Sequence, residues 1–197
     1  MQNKMISNTF MYNRRKAIEV LNYFASKQND KEIDKLKALK LLWLADRYHA
    51  RQYGRTITSD TCCAMQYGTV PSCTKNYLDS LLQTKNVSVD ENCLVPVGEY
   101  TYKSVREPNL KVFSKTDLKA LDTIYSTFGE KNSKDLVEYT HKLTEWKRFE
   151  QSINDPSKKS SYKINIKDIF QNINDEVGIF NDDEELLEIT EELLLRN

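Results

Sequence analysis

Apolar positions recur along the chain with several distinct periods, and each period predicts an element. In residues 12–28 Ala17, Ile18, Leu21, Phe24 and Ala25 fall at helical spacing, and Asn29 with Asp30 ends the run. A second helix opens at Asp34, a suitable N-cap. Leu36, Leu39, Leu42 and Trp43 form its stripe, and Leu41, Leu44, Ala45 and Tyr48 widen it. A helix that is apolar nearly all round its middle belongs at the centre of a core. Gly54 closes it in the manner of a C-terminal glycine. Residues 55–70 mix β-branched and turn residues and read as an extended or irregular connector turned at Gly68. Pro71 and Ser72 start a third helix through Tyr77, Leu78, Leu81 and Leu82. Residues 86–90, 92–97 and 101–105 alternate with a period near two and predict two or three short strands. Ser114 and Asp117 make a capping-box variant before Leu118, Leu121, Ile124, Tyr125 and Phe128, and Gly129 stops that helix. Ser133 caps a further short helix, and residues 143–150 read as a last core helix or turn.

Beyond this point the character changes. Residues 151–163 are a linker by composition, centred on Ser-Ile-Asn-Asp-Pro-Ser-Lys-Lys-Ser-Ser. Residues 164–173 predict a short amphipathic helix, and residues 183–196 another. In the latter Leu186, Ile189 and Leu193 form one apolar seam, and Leu187 with Leu194 a second. The pattern as a whole predicts an α+β, mainly α-helical chain. A compact helical body over 11–150 carries a small two- or three-stranded β element, and an acidic amphipathic helical appendage follows over 164–197.

Composition narrows the function. Five glycines and four prolines in 197 residues argue against an all-β fold. No glycine-rich phosphate loop occurs. The zero net charge conceals a polarity: residues 174–197 carry one basic and nine acidic groups, so the body is net +8 and the tail net −8. Such a tail is either a solvated acidic helix or a segment that folds onto a basic face or binds a basic partner. No run approaches the roughly 18 apolar residues of a membrane helix, and the polar first 15 residues do not resemble a signal peptide. These features predict a cytoplasmic protein with no membrane partner. Cys62, Cys63, Cys73 and Cys93 form no Cys-x-x-Cys pair, and His49 and His141 lie far from them in sequence, so a metal site and a disulfide framework are not expected. No nucleophile–base spacing and no cofactor motif is present, so neither catalytic residues nor cofactors are expected. The basic excess of the first 60 residues is spread over helix faces. Without a helix-turn-helix, aromatic–basic interleaving or a zinc module, it does not predict nucleic-acid binding.

Residues 35–72 carry something more specific. Lys37, Leu39, Lys40, Leu41, Leu42, Ala45, Asp46, Arg47 and His49 are followed by Tyr53, Gly54, Arg55, Ile57, Thr58 and Asp60. Ala64, Met65, Tyr67, Gly68 and Val70 come next. This ordered set resembles the signature of the Panacea antitoxin domain, the family of SocA-like antitoxins and phage-associated GepA-like proteins. A distal element, Leu136, Thr140, His141 and Trp146, is similar to the family's short helix ending in Thr-His with a Trp a few residues on. The resemblance covers about 11–150. Thr69 stands where the family usually has Pro, and Trp43 where it has Tyr or Phe.

The resemblance implies a bacterial antitoxin of a toxin–antitoxin system that neutralises a cognate protein toxin by direct protein–protein binding, with protease delivery as a variant. A phage- or prophage-encoded effector that antagonises a host or defence protein is the alternative. Partner contacts are expected from the surface around Asp46, Arg47, His49, Arg55 and Tyr67, and from the tail leucines Leu186, Leu187, Ile189, Leu193 and Leu194. The same polar residues have a structural reading: Asp46 or Asp60 pairs with Arg55 and satisfies the connector's backbone. His49, His141, Trp43 and Trp146 read as core residues. The tail's leucine seams are equally compatible with self-association.

Overall fold

The computed structural model describes residues 11–83 and 93–196. Helix α1 (Arg14–Ser26) is capped by the Asn13 side chain, which accepts from the Lys16 N–H at 3.0 Å. Strand β1 (Glu32–Asp34) leads directly into α2 (Lys35–Tyr53). The Asp34 carboxylate accepts from the N–H groups of Leu36 and Lys37, and Gly54 ends α2 in the left-handed conformation at φ +66°. The connector predicted after it contains a hairpin of β2 (Cys62–Met65) and β3 (Gly68–Pro71). Helix α3 (Ser72–Gln83), strands β4 (Leu94–Pro96) and β5 (Thr101–Ser104), and helix α4 (Lys115–Phe128) follow. The capping box at Ser114 and Asp117 forms in both directions. Helix α5 (Ser133–Thr140) takes its cap from Asn132, one residue before the Ser133 expected in that role. Two single-turn helices, α6 (Thr144–Lys147) and α7 (Glu150–Ile153), complete the body. The strand expected at 86–90 lies outside the described residues.

Two three-stranded antiparallel sheets flank the helices, in the orders β1-β5-β4 and β3-β2-β6. Strand β6 (Ser161–Lys163) lies at the end of the segment expected to be a linker, and pairs Cys63 with Lys163 and Met65 with Ser161. The helix expected over 164–173 is a 3-10 turn at Ile166–Phe170. The last helix, α8 (Glu184–Arg196), packs on α2. The described residues therefore form an α+β, mainly helical fold with α2 at its centre, packed by α1, α4, α5, α8 and β3. A large apolar core runs through α1, α2 and α4. A second one joins Trp43, Ala50, Cys62, Ala64 and Trp146 to Ile164, Ile169, Phe170 and Leu187. Four of the nine residues of this second core come from the segment after residue 163, which is thus built into the body. The acidic tail folds back onto the body, where α8 lies on α2 and Asp182 meets Arg51.

Candidate partner-binding surface

The polar residues of α2 are held by burial. Asp46 is 1% exposed; its carboxylate accepts from the N–H groups of Ile57 (2.7 Å) and Thr58 (2.9 Å), and from the Thr58 hydroxyl. These bonds fix the path of the connector after Gly54. Burial pushes the Asp46 carboxyl up to about 6 against the opposing pull of those donors. Arg55 pairs with neither Asp46 nor Asp60: its guanidinium reaches Asp117 at 2.7 Å. Asp60 instead accepts from the Cys73 and Thr74 N–H groups and serves as the N-terminal cap of α3. The reason is positional, since Asp46 spends its oxygens on backbone donors that Arg55 would have to displace. His49 is fully buried; its Nδ1 meets the Arg55 carbonyl at 2.7 Å and its Nε2 lies 3.2 Å from Asp117. Burial acts to raise the Asp117 carboxyl, but His49, Lys16, the Ser114 N–H and Arg55 hold it well below the usual carboxylate range. Asp46, Arg47 and His49 do not reach the surface, so the expectation that they contact a partner there gives way to a structural role. Arg55 is half-buried in the Asp117 hub.

Arg47 and Arg51 are also fully buried, one turn apart on α2. Arg47 Nε donates to Glu145 at 3.1 Å, and Arg51 donates to the tail. Trp43 sits in the second core, and Trp146 donates to the Met65 carbonyl at 2.8 Å while its ring stacks on His141. Lys40 is fully buried beneath the hairpin turn, where its Nζ donates to the Thr69 carbonyl at 2.8 Å. Burial pushes its amine down to about 7. Among the described residues no group of three or more His, Cys, Asp or Glu could hold a metal ion. The four cysteines are free thiols, Cys62 and Cys93 buried and Cys63 and Cys73 half-buried.

The surface feature of most consequence lies at the other end of α2. A groove of about 720 Å³ opens between the start of α2, the hairpin tip and the β4–β5 loop. Leu36, Leu39, Met65 and Val70 give it an apolar lining, and Lys35, Lys75, Tyr67 and Tyr100 border it. Tyr67 and Tyr100 are 59% and 57% exposed. Lys35 and Lys75 both bind Asp79. Of the residues proposed from sequence, Tyr67 alone belongs to this groove. Sequence reasoning missed the others because they come from α2, β2, β3, α3 and the β4–β5 loop, which converge only in the fold.

On the tail, α8 turns Leu187 and Thr190 inward, with Leu186 and Leu194 half-buried at the edges of that face. Ile189, Leu193 and Leu195 are 43–52% exposed among the glutamates. The two predicted seams therefore divide: the Leu187–Leu194 seam packs on the body, Ile189 of the other faces solvent, and Leu193 lies against Gly54 while remaining 43% exposed. Among the described residues no helix is long and apolar enough to cross a membrane.

No curated protein and no solved structure matches the chain. A family model does, the one described as antitoxin SocA-like, Panacea domain, over residues 39–147. That span takes in more than half of the chain and includes most of α2, the hairpin, Glu145 and Trp146. The chain belongs to the SocA-like antitoxin family, Panacea domain.

Proposed function

We propose that the chain is an antitoxin that binds a cognate protein toxin directly in the bacterial cytoplasm and blocks it without catalysing a reaction. The observation that carries this reading is the apolar groove bordered by two exposed tyrosines, in a chain of an antitoxin family. Tyrosine at the edge of an apolar depression supplies large contact area at low entropic cost and a hydroxyl for orientation, which is why it recurs at binding hot spots. The toxin would insert an apolar side chain between Leu36, Leu39 and Val70, against Tyr67. The outer face of α8 offers a second contact, where Ile189 and Leu193 lie among Glu184, Glu185, Glu188 and Glu192 and complement a basic toxin surface. The reading is tested by expressing the product of each neighbouring gene in a bacterial host, alone and with this chain. One neighbour should kill alone, be rescued by the chain and co-purify with it. Rescue with disappearance of the neighbour's product would replace blocking by protease delivery. A set of neighbours without toxicity would remove the antitoxin reading.

A further inference from the structure

The buried arginines of α2 are held mainly by the tail. Five N–H contacts of the Arg51 guanidinium end on tail oxygens. Nε reaches Asp182 at 2.7 Å, Nη1 the carbonyls of Ile169 (2.8 Å) and Gln171 (3.1 Å), and Nη2 Asn172 Oδ1 (2.6 Å) and the Phe180 carbonyl (3.2 Å). This uses the full donor complement of an arginine. The Phe180 ring is fully buried, with the Arg47 guanidinium 4.2 Å and that of Arg51 5.9 Å from its centroid. The segment that enters is self-clasped. Asn172 Nδ2 donates to the Asp182 carbonyl, the Asp182 N–H returns to Asn172 Oδ1, and the Ile173 N–H donates to the Phe180 carbonyl. It is thus a closed loop presented to a cationic slot. Two further facts mark the slot as distinct from its occupant. Arg47 Nη1, buried at the same place, has no hydrogen-bond partner in the structure. Moreover, Arg47, Arg51 and Glu145 fall within the family's matched residues, whereas the loop that covers them lies beyond residue 147.

We propose that the Arg47–Arg51 slot is a peptide-binding site of the Panacea domain, occupied in cis by this chain's own tail. Its ligand is a loop that offers a buried aromatic ring, backbone carbonyls from both of its arms (Ile169, Gln171 and Phe180 here) and a carboxylate two residues after the ring. The aromatic supplies the cation–π face, the carbonyls and the carboxylate satisfy the guanidinium fork, and a lysine in place of Arg51 could not span the same acceptors. The inference concerns a site at the opposite end of α2 from the tyrosine groove and does not rest on the antitoxin reading.

A nicked form of the full chain tests it. A protease site placed between the exposed Ser157 and Lys158 is cut in the folded protein. A fluorescent peptide of residues 158–197 is then added in excess. The proposal expects the peptide to exchange into the slot at one per chain without denaturant. Phe180→Ala or Asp182→Ala in the peptide alone should weaken its uptake at least tenfold, with the body unchanged. Arg51→Met in the chain should abolish uptake. Exchange only at denaturant concentrations that unfold the whole protein, collapse of the nicked chain, or equal uptake of the Phe180→Ala peptide would each overturn it. The tail would then be an inseparable part of the fold.

Discussion

Replacing Lys40 by Met should stabilise the protein at neutral pH and leave it no more stable at high pH. The amine lies fully buried with one hydrogen bond, to the Thr69 carbonyl, and burial brings it from 10.5 to about 7. Above the unfolded value both states are neutral and the lysine costs nothing. As pH falls towards 7 the unfolded chain takes up a proton that the folded chain refuses, so stability declines by about 1.4 kcal/mol per pH unit. Below about 7 both states are charged and the penalty is constant. A shift of this size corresponds to roughly 4–5 kcal/mol. Met fills the same channel without a charge but leaves the Thr69 carbonyl short of a donor, at a cost of about 1 kcal/mol that does not vary with pH. The expected gain for Lys40→Met is therefore about 3 kcal/mol at pH 7, shrinking by about 2.5 kcal/mol between pH 7.5 and 9.5. Urea unfolding of both proteins across that range reads the difference. The thiol of Cys93, which burial pushes up, titrates in both proteins and cancels. Parallel curves, or a gain that grows with pH, would refute the reasoning.

Three other outcomes follow from the same geometry. Asp46→Ala should cost about 3 kcal/mol, because the Ile57 and Thr58 N–H groups and the Thr58 hydroxyl lose their acceptor; chemical denaturation measures it, and Asp46→Asn should lose less. Gly68→Ala should lose at least about 2 kcal/mol, since its φ is +92° and a Cβ would stand 2.5 Å from Thr140 Oγ1 and 2.9 Å from Lys40 Nζ. The thermal midpoint reads that loss. Tyr67→Ser, at a residue 59% exposed, should leave the thermal midpoint within a degree or two and abolish rescue in the co-expression assay.

Much of the architecture is legible in the sequence where the signal is local. Asp34 and Gly54 bracket α2, and Ser114 with Asp117 opens α4, because caps act within three residues of the backbone they satisfy. The β2–β3 hairpin is harder to read. Its two-residue turn is Gln66-Tyr67, without the Asn-Gly or Asp-Gly pair that announces such turns, and the glycine follows the turn. Strand β6 is three residues in a serine- and lysine-rich stretch and exists because β2 offers it an edge, a non-local cause. Arg47 and Arg51 illustrate the same limit at the site. Spaced i, i+4 on α2, they carry one available signal, a shared face; their acceptors lie 98 or more residues away. The burial of Asp46 and His49 likewise depends on residues that meet α2 only in the fold.

The central claim is direct binding through the tyrosine groove. Its most direct test is gel filtration of the purified chain with the protein it rescues cells from, for the natural sequence and for Tyr67→Ser with Tyr100→Ser. The account predicts a stable complex with the natural chain and separate peaks with the doubly substituted one, both chains being equally folded. A complex that survives both substitutions would contradict it.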